Sequence, residues 1–245
     1  MITTLTLNVH KGVTALTKRS MLESLRSAVQ GLGSDLVFLQ EVVGADSSAS
    51  GSNVLLQGQS QYEYVADTIW SEFAYGKNSV YDSGHHGNAI LSRYPIAFAE
   101  NHDVSQTGDE CRGILYAKVA GPRPFSAVCV HLGLTEKHRL FQSQFLCNFI
   151  AREVPHDEPL IVAGDFNDWR LNGHRKLITD CGLKEAFCDS LGKPARTFPA
   201  ILPALRLDRI YTRAARVLDA RVLSSAPWSR LSDHAGLVAD IDLSL

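Results

Sequence analysis

Near its start, the chain has two apolar segments that end in polar residues and that flank one amphipathic segment. Alternating apolar residues predict a first strand over residues 4–9. Over residues 21–32, apolar side chains recur at steps of three and four, as on the buried face of a helix. The apolar run 36–39 then predicts a buried strand that ends at Gln40-Glu41. Strands joined through a helix are parallel, so their polar ends lie at a common rim.

The same order returns in the middle of the chain. Residues 126–131 form a predicted strand that ends on His131, and residues 136–153 form a long amphipathic helix. The next strand, 160–163, runs directly into the sequence Gly164-Asp165-Phe166-Asn167-Asp168. The order of elements repeats although the sequence does not.

Shorter patterns predict the remaining elements. Ser20 and Glu23 have the spacing of a capping box, which predicts a helix start at Ser20. We expect residues 62–70 to form a strand and the polar residues 73–86 to form an irregular loop. Further strands are predicted at 88–91, 96–103, 113–119, 207–212, 217–223 and 237–243, and a further helix near 173–180.

These elements predict two mixed β-sheets, packed face to face and covered on the outside by helices. Units that pass through a helix supply the parallel strand pairs, and hairpins supply the antiparallel ones. No change of composition suggests a linker, so we expect one domain over residues 1–245.

Charge and cysteine content restrict the class of protein. The net charge of -2 provides no general basic field for coating a nucleic acid, although a local basic patch would suffice for a nuclease. The five cysteines are odd in number and contain no Cys-x-x-Cys pair, so we expect core thiols rather than disulfides or a zinc site. Free thiols favour a reducing compartment. The sequence also shows no signal-peptide pattern and no apolar run near the roughly 20 residues of a membrane span, so we expect a cytoplasmic protein.

Polar residues at the ends of the predicted strands form an ordered set. It comprises Asn8, Gln40-Glu41, Gly87-Asn88-Ala89-Ile90-Leu91-Ser92, Arg112, His131, Gly164-Asp165-Phe166-Asn167, Asp208 and Ser232-Asp233-His234. Over nearly the whole chain this set resembles the endonuclease/exonuclease/phosphatase superfamily, and in particular its small stand-alone bacterial members. The resemblance implies a four-layer α/β/β/α sandwich whose active site lies at one edge of both sheets.

The resemblance also implies a magnesium site, in which manganese would substitute. Glu41 would be the main ligand, with Asn8 beside it and Asp233 near the metal. One principal carboxylate suits Mg²⁺, which retains several waters and binds phosphate oxygens. Where some members of the superfamily have a second acid on the first strand, this chain has His10.

Catalytic roles are implied in the same way. Asp165 would activate the attacking water with the help of Asn167. Asp208 would keep His234 protonated, so that it donates to a phosphoryl oxygen. His131 would donate to the phosphate or to the leaving oxygen.

Substrate contacts are expected from Asn88, Arg112, Trp169 and Arg170. Structural alternatives stand beside three of them: Asn88 braces a turn, Arg112 is an exposed strand charge, or Trp169 packs under the site loop. We expect His85 and His86 to lie in a solvated loop rather than in a metal site. The further arginines near the site are few: Arg175, Arg206 and Arg209.

The predicted activity is that of a Mg²⁺-dependent phosphodiesterase that works as a monomer. Its substrate would be a nucleic acid, a lipid headgroup or a small phosphodiester. Apurinic endonucleases of the superfamily tend to have tyrosine in place of His131, which disfavours abasic-site repair. The alternatives are a phosphomonoesterase acting on inositol or nucleotide phosphates, and a catalytically silent binding scaffold. A silent scaffold is disfavoured because the chain retains Glu41, Asp165, Asn167, Asp208 and His234.

Overall fold

The computed structural model describes residues 1–12, 18–46, 60–66, 70–82, 84–106 and 111–244. Within them, the strands form two six-stranded mixed sheets. The first sheet contains the strands β1 (Ile2–Asn8), β2 (Leu36–Asp46), β3 (Glu72–Tyr81), β4 (Gly84–Ser92), β11 (Arg216–Leu223) and β12 (Gly236–Asp242). Their order across the sheet is β11-β12-β1-β2-β4-β3.

The second sheet has the corresponding arrangement. It contains β5 (Ile96–Asp103), β6 (Gly113–Val119), β7 (Phe125–His131), β8 (Leu160–Asp165), β9 (Lys184–Glu185) and β10 (Asp208–Arg213). Their order is β5-β6-β7-β8-β10-β9. In each sheet one parallel pair, β1–β2 or β7–β8, lies at the centre, and the other pairs are antiparallel.

Helices cover the outer faces of the sandwich. They are α1 (Lys18–Leu32), α2 (Gln61–Ala66), α3 (Glu136–Glu153), α4 (Asn172–Cys181) and α5 (Cys188–Leu191), with 3₁₀ turns at His10–Gly12 and Trp228–Arg230. Apolar residues of α1 and α2 pack on the first sheet, and those of α3 and α4 pack on the second. The predicted layers of helix, sheet, sheet and helix are therefore confirmed.

Alternation along the central strands explains the continuous apolar runs in the sequence. Leu36 and Phe38 of β2 belong to the core between the sheets, whereas Val37 and Leu39 belong to the core under the helices. Both faces of such a strand are buried, so no polar face is needed. The same division holds on β8, where Ile161 faces the other sheet.

Strand pairing brings the polar ends together. Asn8 lies opposite Gln40 at the end of the β1–β2 ladder, and His131 lies opposite Asp165 at the end of the β7–β8 ladder. The expectation that each unit delivers polar groups to one rim is confirmed. Because the two sheets pack face to face, the two rims adjoin: the Asn8 amide donates to the Asp165 carboxylate across a distance of 3.1 Å.

Four predictions of local structure are wrong. The strand predicted to end at Glu41 continues to Asp46 through a β-bulge between Leu39 and Val42. The expected loop 73–86 is instead the hairpin of β3 and β4, which places His85 and His86 in a strand. β3 is an edge strand, and the exposed face of an edge strand accepts the polar residues that suggested a loop.

The expected strand 62–70 is also wrong, because its first residues form the helix α2. Ser60 and Glu63 make a capping box there: the Ser60 backbone N–H donates to Glu63 Oε2 over 2.8 Å, and the Glu63 N–H donates to Ser60 Oγ over 3.3 Å. The capping box expected at Ser20 is not the start of α1, since that helix begins two residues earlier, at Lys18.

A disulfide contradicts the expectation of five free thiols. Cys147 of α3 is bonded to Cys181 of α4, with their Cα atoms 5.3 Å apart. The two helices pack side by side on the second sheet, so cysteines 34 residues apart in sequence become neighbours. Cysteine usage therefore no longer favours a reducing compartment. Cys129 is a buried core thiol as expected, whereas Cys111 is exposed.

Among the helices in the described ranges, none combines the length and apolar character required to cross a membrane.

Candidate active site

The rim of the first sheet is open to solvent. The bulge in β2 gives Glu41 a left-handed backbone with φ of 57°, and its side chain is only half-buried. Bulges and positive φ at non-glycine residues are concentrated at functional sites, where they redirect side chains. Asn8 Nδ2 lies 3.4 Å from Glu41 Oε1, and Asn8 Oδ1 accepts a hydrogen bond from the His10 backbone.

The rim of the second sheet is closed. His131 Nε2 lies 3.4 Å from Asp165 Oδ2, and His131 Nδ1 lies 3.2 Å from the Arg112 guanidinium. A guanidinium only donates, so Nδ1 must accept and the proton of the neutral ring lies on Nε2, facing Asp165. Burial, followed by the positive charge of Arg112, lowers the pKa of His131 well below its usual value. His131 is therefore a neutral donor.

Asp165 is buried and held at both oxygens. Oδ1 accepts from the Asn167 backbone N–H over 2.9 Å, and Oδ2 accepts from Asn8. Burial, and then repulsion by Asp208, raises the pKa of Asp165 to about 6, although His234 opposes the shift. Asn167 is itself in the left-handed region, with φ of 51°, and its amide donates to the Leu132 carbonyl.

Asp208 and His234 form a buried pair beside Asp165. His234 Nδ1 lies 2.8 Å from Asp208 Oδ2, and the Asp208 backbone N–H donates to Thr197 Oγ1. Burial alone would lower the pKa of His234, but attraction by Asp208, reinforced by their hydrogen bond and by Asp165, raises it to about 10. The imidazole is therefore charged at neutral pH.

Side-chain oxygen or nitrogen atoms of Asp165, Asp208 and His234 lie within 4.8 Å of one another, a spacing that a metal ion would also accept. A protonated imidazole offers no lone pair, however, and this one already donates to Asp208. We therefore interpret the cluster as two carboxylates, Asp165 and Asp208, beside the charged imidazole of His234, and not as a metal site. Of these groups, Asp208 Oδ1 is buried without a hydrogen-bond partner among the described residues.

Glu41 fits a hard cation better than this cluster does. Its side chain is only half-buried, and its one hydrogen bond within the described part of the chain is the long one from Asn8. A carboxylate that retains room for waters and for a phosphate oxygen is what Mg²⁺ requires. Asp233 is placed near the same rim: its carboxylate lies 3.5 Å from His10 Nδ1, and Ser232 Oγ donates to the Asn8 carbonyl over 2.6 Å.

Two residues expected to contact the substrate are buried and bonded within the protein. Asn88 donates to the Gly113 and Cys129 carbonyls of the opposite sheet, so it braces the two sheets rather than a turn. Arg112 is buried behind His131 rather than exposed on its strand.

Two further residues lie at the surface. Arg170 pairs with Glu136 at 3.2 Å. Trp169 is 41% exposed and stacks over the Arg139 guanidinium, with 4.6 Å between that group and the ring centroid. One face of the Trp169 ring is therefore covered by protein, while part of the side chain reaches solvent.

Sequence reasoning missed a buried cluster behind the closed rim. Asp168 accepts from the His174 backbone N–H at the start of α4 and lies 3.5 Å from Arg209, which is fully buried. His174 Nδ1 lies 2.9 Å from the Tyr211 hydroxyl. The available signal was the charge of Arg209 inside the predicted strand 207–212, because a charged side chain buried in a strand requires a partner of opposite charge.

Two other neighbours of His131 and His234 were also missed. His86 adds to the repulsion that lowers the pKa of His131. The Phe198 ring packs 5.1 Å from the His234 ring, measured between centroids. No local pattern identifies either contact, because each joins segments far apart in sequence.

Two mixed sheets packed face to face, helices outside them and an acid–histidine cluster at one shared rim define the class of α/β sandwich hydrolases. The family model described as the endonuclease/exonuclease/phosphatase family matches residues 5–234, and the chain belongs to this family. Its members hydrolyse phosphate esters.

Relatives and solved structures agree with this assignment. The protein YbhP of Escherichia coli K12 is 49% identical over 242 residues, which cover 98% of this chain and 95% of YbhP. D. rerio TDP2, solved in complex with a single-strand DNA product, has a TM-score of 0.73 at 19% identity, covering 98% of each chain. The mannosyl-6-phosphatase Bt3783 of Bacteroides thetaiotaomicron has a TM-score of 0.73 at 14% identity, covering 98% of this chain and 99% of that one. At these identities the two structures show a shared fold.

Proposed function

We propose that the protein is a Mg²⁺-dependent phosphodiesterase, acting as one catalytic domain over residues 1–245. The observation that carries this proposal is the environment of Asp165, a buried carboxylate held by Asn8, Asn167 and His131. Every group in the proposed mechanism comes from one chain, so the site is complete in a monomer.

Asp165 is the proposed base. With a pKa of about 6 it is ionised at neutral pH, yet it is more basic than an ordinary aspartate, which suits removal of a proton from water. Hydrogen bonds from Asn8 and Asn167 hold the carboxylate in one orientation. We assign to Asn167 the further role of orienting the attacking water.

His234 is the proposed cation at the phosphoryl group. It is charged at neutral pH, and Asp208 fixes its Nδ1, so Nε2–H remains to donate to an oxygen on which charge develops. His131 is the proposed neutral donor to the phosphate or to the leaving oxygen. Arg112 sets its tautomer, which we propose as the role of Arg112 in place of direct phosphate contact.

Glu41 and Asn8 would hold the metal, and Asp233 would lie near it at the same rim. The ion would supply positive charge to a phosphate oxygen when bound, and Mn²⁺ would substitute for Mg²⁺. We keep Trp169 as a proposed substrate contact because its ring is held in place by Arg139 and partly exposed.

The arginines favour a diester over a monoester. A phosphomonoester has nearly two negative charges at neutral pH, whereas a diester has one. Arg112 contacts His131, Arg170 pairs with Glu136, and Arg209 pairs with Asp168. With these cations already engaged, His234 and the metal offer charge that matches a diester better.

Turnover of a substrate panel by the purified protein tests the proposal. The panel contains an aryl phosphodiester, the matching aryl phosphomonoester, single- and double-stranded DNA, RNA, sphingomyelin and phosphoinositides. We expect diester hydrolysis that requires Mg²⁺ or Mn²⁺ and that is absent from the Asp165→Asn variant. Full activity after exhaustive chelation, or a preference for the monoester, would contradict the proposal.

A further inference from the structure

An exposed apolar loop, residues 198–205, projects beside the candidate active site. Its ends are joined, because the backbone N–H groups of Ala204 and Leu205 both donate to the Phe198 carbonyl over 2.8 Å. Its tip contains Ile201, 83% exposed, and Leu202, 77% exposed. They are the most exposed of the large apolar side chains in the described ranges. Adjacent exposed apolar residues of this kind mark contact surfaces more often than isolated ones do.

The apolar loop is anchored to the catalytic residues. The Phe198 ring packs on the His234 ring, and the Ala200 N–H donates to the Asp233 carbonyl over 2.7 Å. At the base of the loop, Thr197 Oγ1 accepts from the Asp208 backbone. Ile201 is three residues beyond Phe198, so their Cα atoms are at most about 11 Å apart. A molecule bound at the tip would therefore lie next to His234, the residue that we propose contacts the phosphoryl group.

The charged residues within the segment that contains the apolar loop are all basic. Residues 190–207 contain Lys193, Arg196 and Arg206 but no aspartate or glutamate, although the whole chain has a net charge of -2. Lys193 and Arg196 are exposed, and Arg206 is partly exposed with its Nε donating to the Pro194 carbonyl. Aliphatic side chains flanked by cations are the combination that binds the surface of an anionic bilayer.

We propose that the apolar loop inserts its tip into an anionic phospholipid surface and so presents the active site to lipid headgroups. This inference rests on the proposed phosphodiesterase function and names its substrate class, a phosphodiester of a membrane lipid. The headgroup phosphate of a lipid lies just outside the acyl region, next to the depth that an inserted Ile201–Leu202 tip would reach. A single-stranded nucleic acid fits the tip less well, because bases stack on aromatic rings and the tip is aliphatic.

Co-sedimentation of the full chain with vesicles tests the inference without relying on hydrolysis. The vesicles contain phosphatidylcholine alone or with 30% phosphatidylglycerol. We expect binding to the anionic vesicles that falls at least about tenfold in the double variant Ile201→Ser/Leu202→Ser. The variant Lys193→Gln/Arg196→Gln should bind the anionic vesicles more weakly than the parent, and its remaining binding should depend less on salt.

A matched control is Phe98→Ser/Leu218→Ser. Phe98 and Leu218 are 48% and 49% exposed, and they lie on β5 and β11 at the end of the sheets away from the rim. We expect this control to bind like the parent. Thermal unfolding of every variant shows whether it is folded.

The outcomes separate the inference from the proposed function. Loop-dependent binding by the inactive Asp165→Asn variant supports the inference even if no substrate is found. Hydrolysis of soluble diesters by a protein that binds neither vesicle type leaves the function standing and overturns the inference. Equal binding by the parent and the loop variant, a loop-dependent dimer in solution, or loop-dependent binding to single-stranded DNA that is tighter than to vesicles would also overturn it.

Discussion

The two central strand pairs have the same topology but end in different environments. At the end of β1–β2, Glu41 projects from a bulge and is half-buried with a single weak contact. At the end of β7–β8, His131 and Asp165 are almost completely buried and bonded to their neighbours. The open rim is suited to an exchangeable cation with its waters, and the closed rim is suited to tuning protons.

Burial is the physical cause of this difference. Desolvation penalises charge, so it raises the pKa of Asp165 and lowers that of His131, and it strengthens the attraction between Asp208 and His234. A cation at the open rim would avoid that penalty, because water would have room to complete its coordination shell. Asn8 belongs to both rims, since its amide donates to Asp165 and lies near Glu41.

Asp165→Asn should give the largest effect and should separate the two rims. Loss of a general base typically lowers a rate by about 10²–10⁴-fold, so we expect kcat to fall about 10³-fold. We expect the variant to remain folded but to lose some thermal stability, because its amide NH₂ group cannot accept from the donors that face the Asp165 carboxylate. Steady-state kinetics and calorimetry check this. A variant that keeps more than a tenth of the parental kcat would remove Asp165 from the mechanism.

Glu41→Gln should act through the metal instead. An amide oxygen is a weaker ligand for Mg²⁺ than a carboxylate, so the concentration for half-maximal activity should rise at least about tenfold. Saturating Mg²⁺ should restore part of the activity, which it should not do for Asp165→Asn. Activity titrations with Mg²⁺, with calorimetric binding as a second readout, measure the shift. An unchanged Mg²⁺ requirement would contradict the assignment of the open rim.

His174, behind the closed rim, should make stability depend on pH. Burial, and then repulsion by Arg209, lowers the pKa of His174 to about 4 from an ordinary 6.5. Between those values the unfolded chain binds a proton that the folded chain does not, so stability should fall by roughly 2 kcal/mol as the pH drops from 6.5 to 4. Denaturant unfolding of the parent and His174→Gln compares the slopes. The slope of the variant should be flatter over this range, and identical slopes would refute the prediction.

Two Ser-x-x-Glu motifs show how far local patterns extend. The pattern at Ser20 predicts a helix start there, yet α1 begins at Lys18. The same spacing at Ser60 and Glu63 is a true capping box with both reciprocal hydrogen bonds. The aromatic and β-branched residues that follow Ser60 suggested a strand, and tertiary packing against the first sheet overrode that propensity.

Sequence patterns were enough to predict the two-sheet sandwich, most of its strands and the polar residues at the ends of the central strands. Apolar periodicity and polar strand ends are local signals. Parallel pairing of two strands joined by a helix then places their polar ends side by side, so no other long-range information is needed.

The surroundings of those residues come from long-range packing. Four features depend on contacts between segments that are distant in sequence. They are the bulge at Glu41, the contact of Arg112 with His131, the disulfide between Cys147 and Cys181, and the packing of the apolar loop on His234. Protonation depends on burial and on charges brought close by folding, and neither is encoded in the spacing of residues along the chain.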